Sequence, residues 1–454
     1  MKKLISLTLA LLMLLSLAAC GNPEGDDQPA SSGTFAGNSP ADNPTGTDVG
    51  TEADTLPPEM ALPQDQVRIL VWKNDPDVVA REGTSSVLSD AMADRDAALE
   101  AVWGCKPTYI LTDNAYSELF PLYNVADDIC DLCIMPLRVT IDKSISGQFV
   151  GYALDDFGLD LENGIWDQGM SGIVINGEHR FAAPAVSVAA NDSTYAVFYD
   201  SKADAGTLSA RLSAMDNGWT WDEMTAMLTE AEGADPNGNG APVPGMVWDE
   251  RTFSALVIGA GLRPDSDLAD QAEDYVQPMI DYAASGKVAA HSILDDSPFK
   301  AGGRVFSIGK LEWLYDKDAG SVYDRVTVMP IPKQSADQTR SLTTSFAANC
   351  LIIPHTKMVE PRVPACASAM YVFAAVTAKT MEKPYLDQLV PASNAVSRRN
   401  VEELLASRDY DLALNGTIEW RLSGDTLKTL KSFFGFKRVE LKSLVKHCLN
   451  VREK

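Results

Sequence analysis

The run Val67-Arg-Ile-Leu-Val-Trp72 is short, apolar and rich in β-branched residues, and it follows Pro63. It reads as a buried strand. What comes next decides the fold. Ser85 to Trp103 carries Val87, Leu88, Met92, Leu99 and Val102 at helical spacing, with Gly104 as a stop signal. Pro107 to Leu111 reads as a second strand. Tyr116 to Tyr123 has short helical character interrupted by Pro121, and Ile129 to Met135 reads as a third strand ended by Pro136. Strand, helix, strand, helix, strand is the order of a parallel α/β sheet.

The same grammar restarts downstream. Thr194 to Tyr199 is a β-rich run. Thr220-Trp-Asp-Glu223 has capping-box spacing and opens a helix with Met224, Met227 and Leu228 on one face. Val326 to Pro332 and Phe346 to Pro354 read as strands, and Pro364 to Ala378 as a strongly apolar helix. No internal repeat of fixed period is present. About 390 residues after position 65 suit two lobes better than one core.

The first 65 residues read differently. Lys2 and Lys3 precede an apolar run, Leu4 to Ala19, which is shorter than the roughly 20 residues a membrane span needs. It reads as a secretory signal over 1–19. Its end, Leu-Ala-Ala-Cys20, resembles a bacterial lipobox, in which Cys20 is lipidated; the alternative is an ordinary signal with a chance cysteine. Residues 21–65 have no Lys or Arg and are dominated by Pro, Gly, Ser, Thr, Asp and Glu. Such a segment buries too little apolar surface to offset its ordering entropy. Residues 20–65 are therefore expected to form a tether reaching roughly 35–40 Å. This predicts a body held at the extracellular face of the cell membrane of a Gram-positive-type bacterium, anchored through lipid alone.

The formal charge of −25 argues against nucleic acid and anionic membrane surfaces as partners. Seven cysteines include Cys20. Cys130-Asp-Leu-Cys133 is a lone C-x-x-C without a second pair or a nearby His, and it sits in a strand-like run where the two thiols would point to opposite faces. Buried thiols are expected; spacing alone does not pair any disulfide. Residues 427–454 hold eight Lys or Arg against two Glu, an atypical basic end that reads either as a surface helix or as a truncated or frame-shifted terminus.

Catalytic signatures are incomplete. Gly169-Met-Ser-Gly-Ile173 misses G-x-S-x-G at its last position. Gly303 to Leu311 mimics a phosphate loop, but its glycine spacing is one too long and Leu follows Lys310. Asp235-Pro-Asn237-Gly-Asn239-Gly240 matches the first half of a calcium loop, yet its twelfth position is Met246 rather than Glu. It reads first as a tight turn, and no cofactor or metal is expected. Aromatic placement is more informative. Trp72, Tyr116, Trp166, Tyr195, Trp248 and Trp313 sit at strand ends or in irregular segments, and ligands of open α/β sheets bind beyond the carboxyl ends of strands. Aromatic faces stack on the C–H faces of sugars while polar side chains bond the hydroxyls.

Several pieces resemble one family, the extracellular solute-binding proteins (family 1 type) of ABC importers, which include maltodextrin- and oligosaccharide-binding lipoproteins. Tyr195-Ala-Val-Phe-Tyr-Asp200 is similar to the strand after its first interlobe crossing, with Asp200 where Asn is usual. Trp219-Thr-Trp-Asp-Glu-Met224 looks like its Thr-Trp-Asp-Glu helix start. Asp235 to Gly240 with Trp248 resembles its Asp-Gly-Asn-Gly loop and next strand. Gly303 to Trp313 looks like the segment that carries a stacking Trp, and Val326 to Pro332 like the strand before the return crossing.

The resemblance covers about Val67 to Ala378. It implies an α/β, two-lobe, periplasmic-binding-protein-like fold of type II with a hinge. Lobe 1 would be 66–188 plus about 333–378, lobe 2 would be 189–332 plus about 379–430, and 431–454 would be a basic appendage. It also implies that Trp72 and Tyr116 face the cleft from lobe 1, that Trp248 and Trp313 face it from lobe 2, and that Asn74 and Asp113 bond hydroxyls. The expected function is capture of a solute, an oligosaccharide, by a monomer that delivers it to an ABC permease. A surface glycoside hydrolase and a sensor or adhesion lipoprotein on the same scaffold are the alternatives.

Overall fold

In a computed structural model, the residues described are 66–79, 86–114, 130–145, 151–203, 208–213, 218–231, 245–249, 251–261, 282, 288–291, 297–314, 325–355, 359–390, 394–410 and 415. The expected leader and tether, Cys20, Tyr116 with its expected helix, the calcium-loop look-alike at 235–240 and the basic end at 431–454 lie outside them.

The opening stretch forms β1 (Val67–Trp72). It is followed by α1 (Ser86–Trp103), β2 (Pro107–Thr112), β3 (Leu132–Pro136) and α2 (Leu137–Ile145). Gly104 ends α1 by taking φ of +73°, a left-handed turn that suits glycine, while its N–H still reaches Glu100 O at 2.9 Å. β1 pairs in parallel with β2 and β3, and β9 (Asn349–Ile352) pairs antiparallel with β3, giving the order β2-β1-β3-β9. Alternate residues feed opposite faces, as the period of two requires. Val67, Ile69 and Val71 enter one cluster with Leu99 and Trp103 of α1, and Leu70 enters another with Cys133, Met135 and Ile141. A sheet covered on both faces accounts for its continuous apolar runs.

A second sheet has the order β6-β5-β7-β4-β8. It contains β4 (Tyr195–Asp200), β5 (Met246–Asp249), β6 (Val288–His291), β7 (Phe306–Lys310) and β8 (Val326–Met329). β5 is parallel to β6 and β7, whereas β4 runs antiparallel to β7 and β8. The protein is thus a mixed α/β fold with two mixed sheets.

The helix α3 (Trp221–Ala231) buries Met224, Met227 and Leu228 as its spacing predicts. Half of the expected capping box forms. Glu223 N–H donates to Thr220 Oγ1 at 3.2 Å, a cap worth about 1 kcal/mol. The Glu223 carboxylate instead takes Arg211 Nε at 2.7 Å, because a charged partner outcompetes a backbone amide. Another helix, α4 (Thr252–Gly259), follows β5, and α5 (Val363–Leu389) and α6 (Ala395–Ala406) come last.

α5 is one continuous helix, so the lobe boundary expected near 378 falls inside it. By length and composition it is apolar enough to span a membrane, but its most apolar window is 67% buried. It packs along α1. Its last turns add Met381, Tyr385, Leu386 and Leu389 to an apolar cluster shared with Leu88 and Met92 of α1 and with Phe198, Val326 and Val328 of the second sheet. Several expected strands are shorter than their apolar runs. β8 stops before Pro330, since proline has no N–H for a ladder.

Cys130 precedes β3 rather than lying in it, so both thiols of the C-x-x-C enter the same apolar cluster instead of opposite faces. Burial pushes the Cys130 and Cys350 thiols up to about 12, and Cys133 well above its ordinary value. Tyr195 and Tyr410 are raised in the same sense, first by burial and then by a neighbouring carboxylate. A raised folded-state value gives stability that is complete below the unfolded-state value and lost as pH climbs towards the folded one. For the thiols the window opens near the ordinary value of 9.0 and closes near 12. The urea midpoint should therefore fall progressively across that window. A midpoint that stays level there would mean these groups are solvated in the native state.

Candidate functional site

Parallel pairing puts the carboxyl ends of β1 and β2 side by side, with Trp72 opposite Thr112. Just beyond, Lys73 N–H donates to Thr112 O at 2.8 Å, and Lys73 Nζ meets Asp113 Oδ1 at 2.5 Å. Asn74 and Asp113 are exposed, and the Trp72 ring is 43% exposed. The chain then turns inward. Asp75 is buried and its Oδ2 accepts from Asn349 Nδ2 at 2.7 Å. The Asp77 carboxylate accepts from Ser187 Oγ at 2.9 Å and Ala189 N–H at 3.3 Å. Burial raises the Asp77 pKa against the pull of those bonds. The loop after β1 is thereby tied to the first residue of β9 and to the start of a short helix, Val188–Asp192.

In the second sheet, Asp249 lies at the carboxyl end of β5 and is fully buried. Its Oδ2 accepts from Tyr195 Oη at 2.7 Å. Its Oδ1 accepts from the N–H groups of Arg251 at 2.8 Å and Thr252 at 3.0 Å. Phe346 meets Tyr195 edge-on with centroids 5.4 Å apart, and the Arg251 guanidinium lies over the Phe346 ring at 5.6 Å.

Phe346 and Asn349 are three residues apart, so at most about 10 Å of chain separates them. One touches the carboxyl end of the second sheet and the other that of the first. The carboxyl ends of both sheets therefore converge on one crossing. Three segments build it. Thr194 bridges Ser345, and Tyr195 N–H donates to Thr344 O at 3.0 Å. Ser193 Oγ and Ser345 Oγ share a 2.5 Å hydrogen bond. The third segment joins where Thr343 N–H donates to Ser407 O at 3.2 Å and Asp409 N–H donates to Thr343 O at 2.8 Å. Asn415 Nδ2 donates to Ser345 O at 3.0 Å.

Of the residues singled out in the sequence, Trp72, Asn74 and Asp113 come together at the carboxyl ends of β1 and β2, the rim of the first sheet. Trp166, Tyr195 and Trp313 do not. Trp166 is 1% exposed, edge-on to Tyr371. Tyr195 is fully buried and bonded to Asp249. Trp313 is 2% exposed, against Phe198 and Phe299. Their rings have no face left for a solute, so their assignment as ligand contacts is corrected to core. A Cβ on Gly309 would fall 2.0 Å from the Trp313 ring, which explains that glycine of the phosphate-loop look-alike. The backbone of Trp248 is in β5 next to Asp249, and its side chain lies outside the described residues. Ser171, in the near G-x-S-x-G, donates to Asp167 O at 2.9 Å within a short buried helix.

Sequence reading missed Asp75, Asp77, Asp249, Arg251, Phe346 and Asn349. Phe346 carried a faint signal, as the first residue of the expected strand Phe346 to Pro354, whose ladder begins only at Asn349. Asp75 and Asn349 carried none, since they meet across 274 positions. Among the described residues no group of three His, Cys, Asp or Glu is arranged to hold a metal ion.

Mixed α/β architecture with two sheets meeting at a stitched crossing is the class that fold and site define. No protein-family model matches the chain, and no curated protein matches it in sequence.

Proposed function

We propose that the chain is a lipid-anchored extracellular solute-binding protein. It captures a small solute, an oligosaccharide, between two α/β lobes built on the two sheets and presents it to the permease of an ABC importer. The convergence of both carboxyl ends at one three-segment crossing, with an exposed tryptophan on the rim, carries this reading. Carboxyl ends of strands are where open α/β sheets bind ligands. Trp72 would stack on a sugar face, and Asn74 and Asp113 would bond hydroxyl groups.

Closure would bend the crossing. Solute held by one lobe gains contacts from the other only in the closed state, so it shifts the population towards closure by its differential affinity. The closed form would be the one the permease reads. Cys20 and the tether would keep the body at the outer membrane face, with the membrane reached through lipid alone and the body acting as a monomer.

A thermal-shift and tryptophan-fluorescence screen of the full-length protein against neutral oligosaccharides, polyamines and short peptides tests this. A native-state ligand at a hundredfold excess over Kd adds about 2.7 kcal/mol of stability. Trp72→Ala is expected to abolish that gain while moving the ligand-free midpoint little, because the ring is 43% exposed. Cleavage of the sugar during the screen would point to a hydrolase instead. A screen without any response, or a Trp72→Ala protein that binds like the parent, would sink the proposal.

A further inference from the structure

A concavity lies beside the edge strand β8. It encloses about 900 Å³, within the range of small-molecule sites, and its described lining does not include Trp72, Asn74 or Asp113. Its walls come from β4, β8, the loop 333–341 and α6. Ser397 and Asn400 of α6 cap the open edge of β8. Val328 N–H donates to Ser397 Oγ at 3.1 Å, and Asn400 Nδ2 donates to Val328 O at 2.6 Å. The helix that forms one wall of the concavity is thus tied to the sheet edge by its own side chains.

Its charge opposes that of the chain. Among the described lining residues, Lys333, Arg340 and Arg399 stand against one carboxylate, Glu403, in a protein of net charge −25. Glu403 is 3.8 Å from Arg399. Lys333 is 3% exposed, and its Nζ donates to Gln338 O at 3.0 Å. An ammonium has three donors, and burying it beside a single neutral carbonyl is costly. Among the described residues Lys333 and Arg340 have no carboxylate within 4 Å. Asn394, the N-cap of twelve-residue α6, also lines the concavity, so the positive end of that helix adds to the field. Met329, Val396 and Trp219 supply apolar wall.

We propose that this concavity binds a small organic anion, its phosphate or carboxylate group seated on Lys333, Arg340 and Arg399 and its body against Met329 and Trp219. The carrier of the acid group is left to experiment, with glucose 6-phosphate and citrate as probes of the two chemistries. Ala406 and Ser407 of the wall run directly into the third crossing segment, so an anion bound here sits beside the hinge of the proposed solute site.

Calorimetric titration of the full-length Trp72→Ala protein removes the rim from the measurement. Glucose 6-phosphate or citrate should bind, with affinity falling at high salt, and glucose should not. Arg340→Ala and Arg399→Ala should each weaken binding by about tenfold, as loss of a charge-assisted contact does. Both arginines are exposed, so these variants keep the fold whatever Lys333→Met does. Silence from both anions, or binding indifferent to both arginine substitutions, overturns the site. Inorganic phosphate binding as tightly as the organic probes overturns the organic-anion assignment.

Discussion

Asp167→Asn is expected to destabilise the protein by about 3–5 kcal/mol, the cost of breaking a buried ion pair by removing one partner. Asp167 Oδ2 sits 2.9 Å from Arg408 Nη2, with side chains 2% and 3% exposed. The same oxygen accepts from Tyr410 Oη at 3.1 Å, and Asp167 Oδ1 caps the short helix Gln168–Ser171 through the N–H groups of Gly169 and Met170. Arg408 also donates to Asn191 Oδ1 and, at 3.1 Å, to Ala185 O. Asparagine keeps the volume and loses the charge, which leaves a guanidinium in the interior without compensation.

That loss is about a fifth or more of the stability typical of a domain. It should appear as a lower urea midpoint with an unchanged slope. Replacing both partners with apolar residues, Asp167→Leu with Arg408→Met, should recover much of it, because desolvation of two charges is then avoided. A loss below about 1 kcal/mol for Asp167→Asn would place the pair in the solvent-screened class. The pair also has a functional address. Arg408 bridges to Thr343 in the crossing, so loosening it should blunt the fluorescence change that accompanies solute capture.

Trp313→Ala is the second large effect, again about 3–5 kcal/mol. The indole is 2% exposed and lies 6.1 Å from the Phe198 ring and 5.6 Å from the Phe299 ring, all in the cluster that α1, α5 and the second sheet share. Gly309 gives it the flat surface it rests on. Truncation leaves a cavity that neighbours anchored in a strand and a helix fill only partly. The thermal midpoint should drop on the order of 10 °C. Solute affinity measured well below that midpoint should survive. A Trp313→Ala protein with unchanged stability and abolished binding would return this ring to the solute site and remove it from the core.

These two residues show what was legible. β1, α1, β2, the body of β3 and the buried face of α3 follow from local periodicity, where each apolar residue is placed by neighbours one to four positions away. Trp313 does not follow. A tryptophan at a strand-to-loop boundary carries the same local signal whether its ring turns inward or outward, and Phe299 and Gly309 decide which. Asp167 offered no signal at all, since its counterion is 241 positions later, at 408. The half-made capping box has the same origin: Thr220 was readable, but the reach of Arg211 to Glu223 was not.

Alternation and helical spacing by themselves determined an α/β chain in two runs of strands and helices, and the position of Trp72 at a strand end. Tertiary structure alone decided that the carboxyl ends of both sheets meet where 193–195, 343–349 and 407–409 are stitched together, and that Trp166, Tyr195 and Trp313 are core. Strand and helix identity is set by interactions a few residues long. The meeting of the two sheets depends on hydrogen bonds such as that between Ser193 and Ser345, 152 residues apart, and no local pattern encodes them.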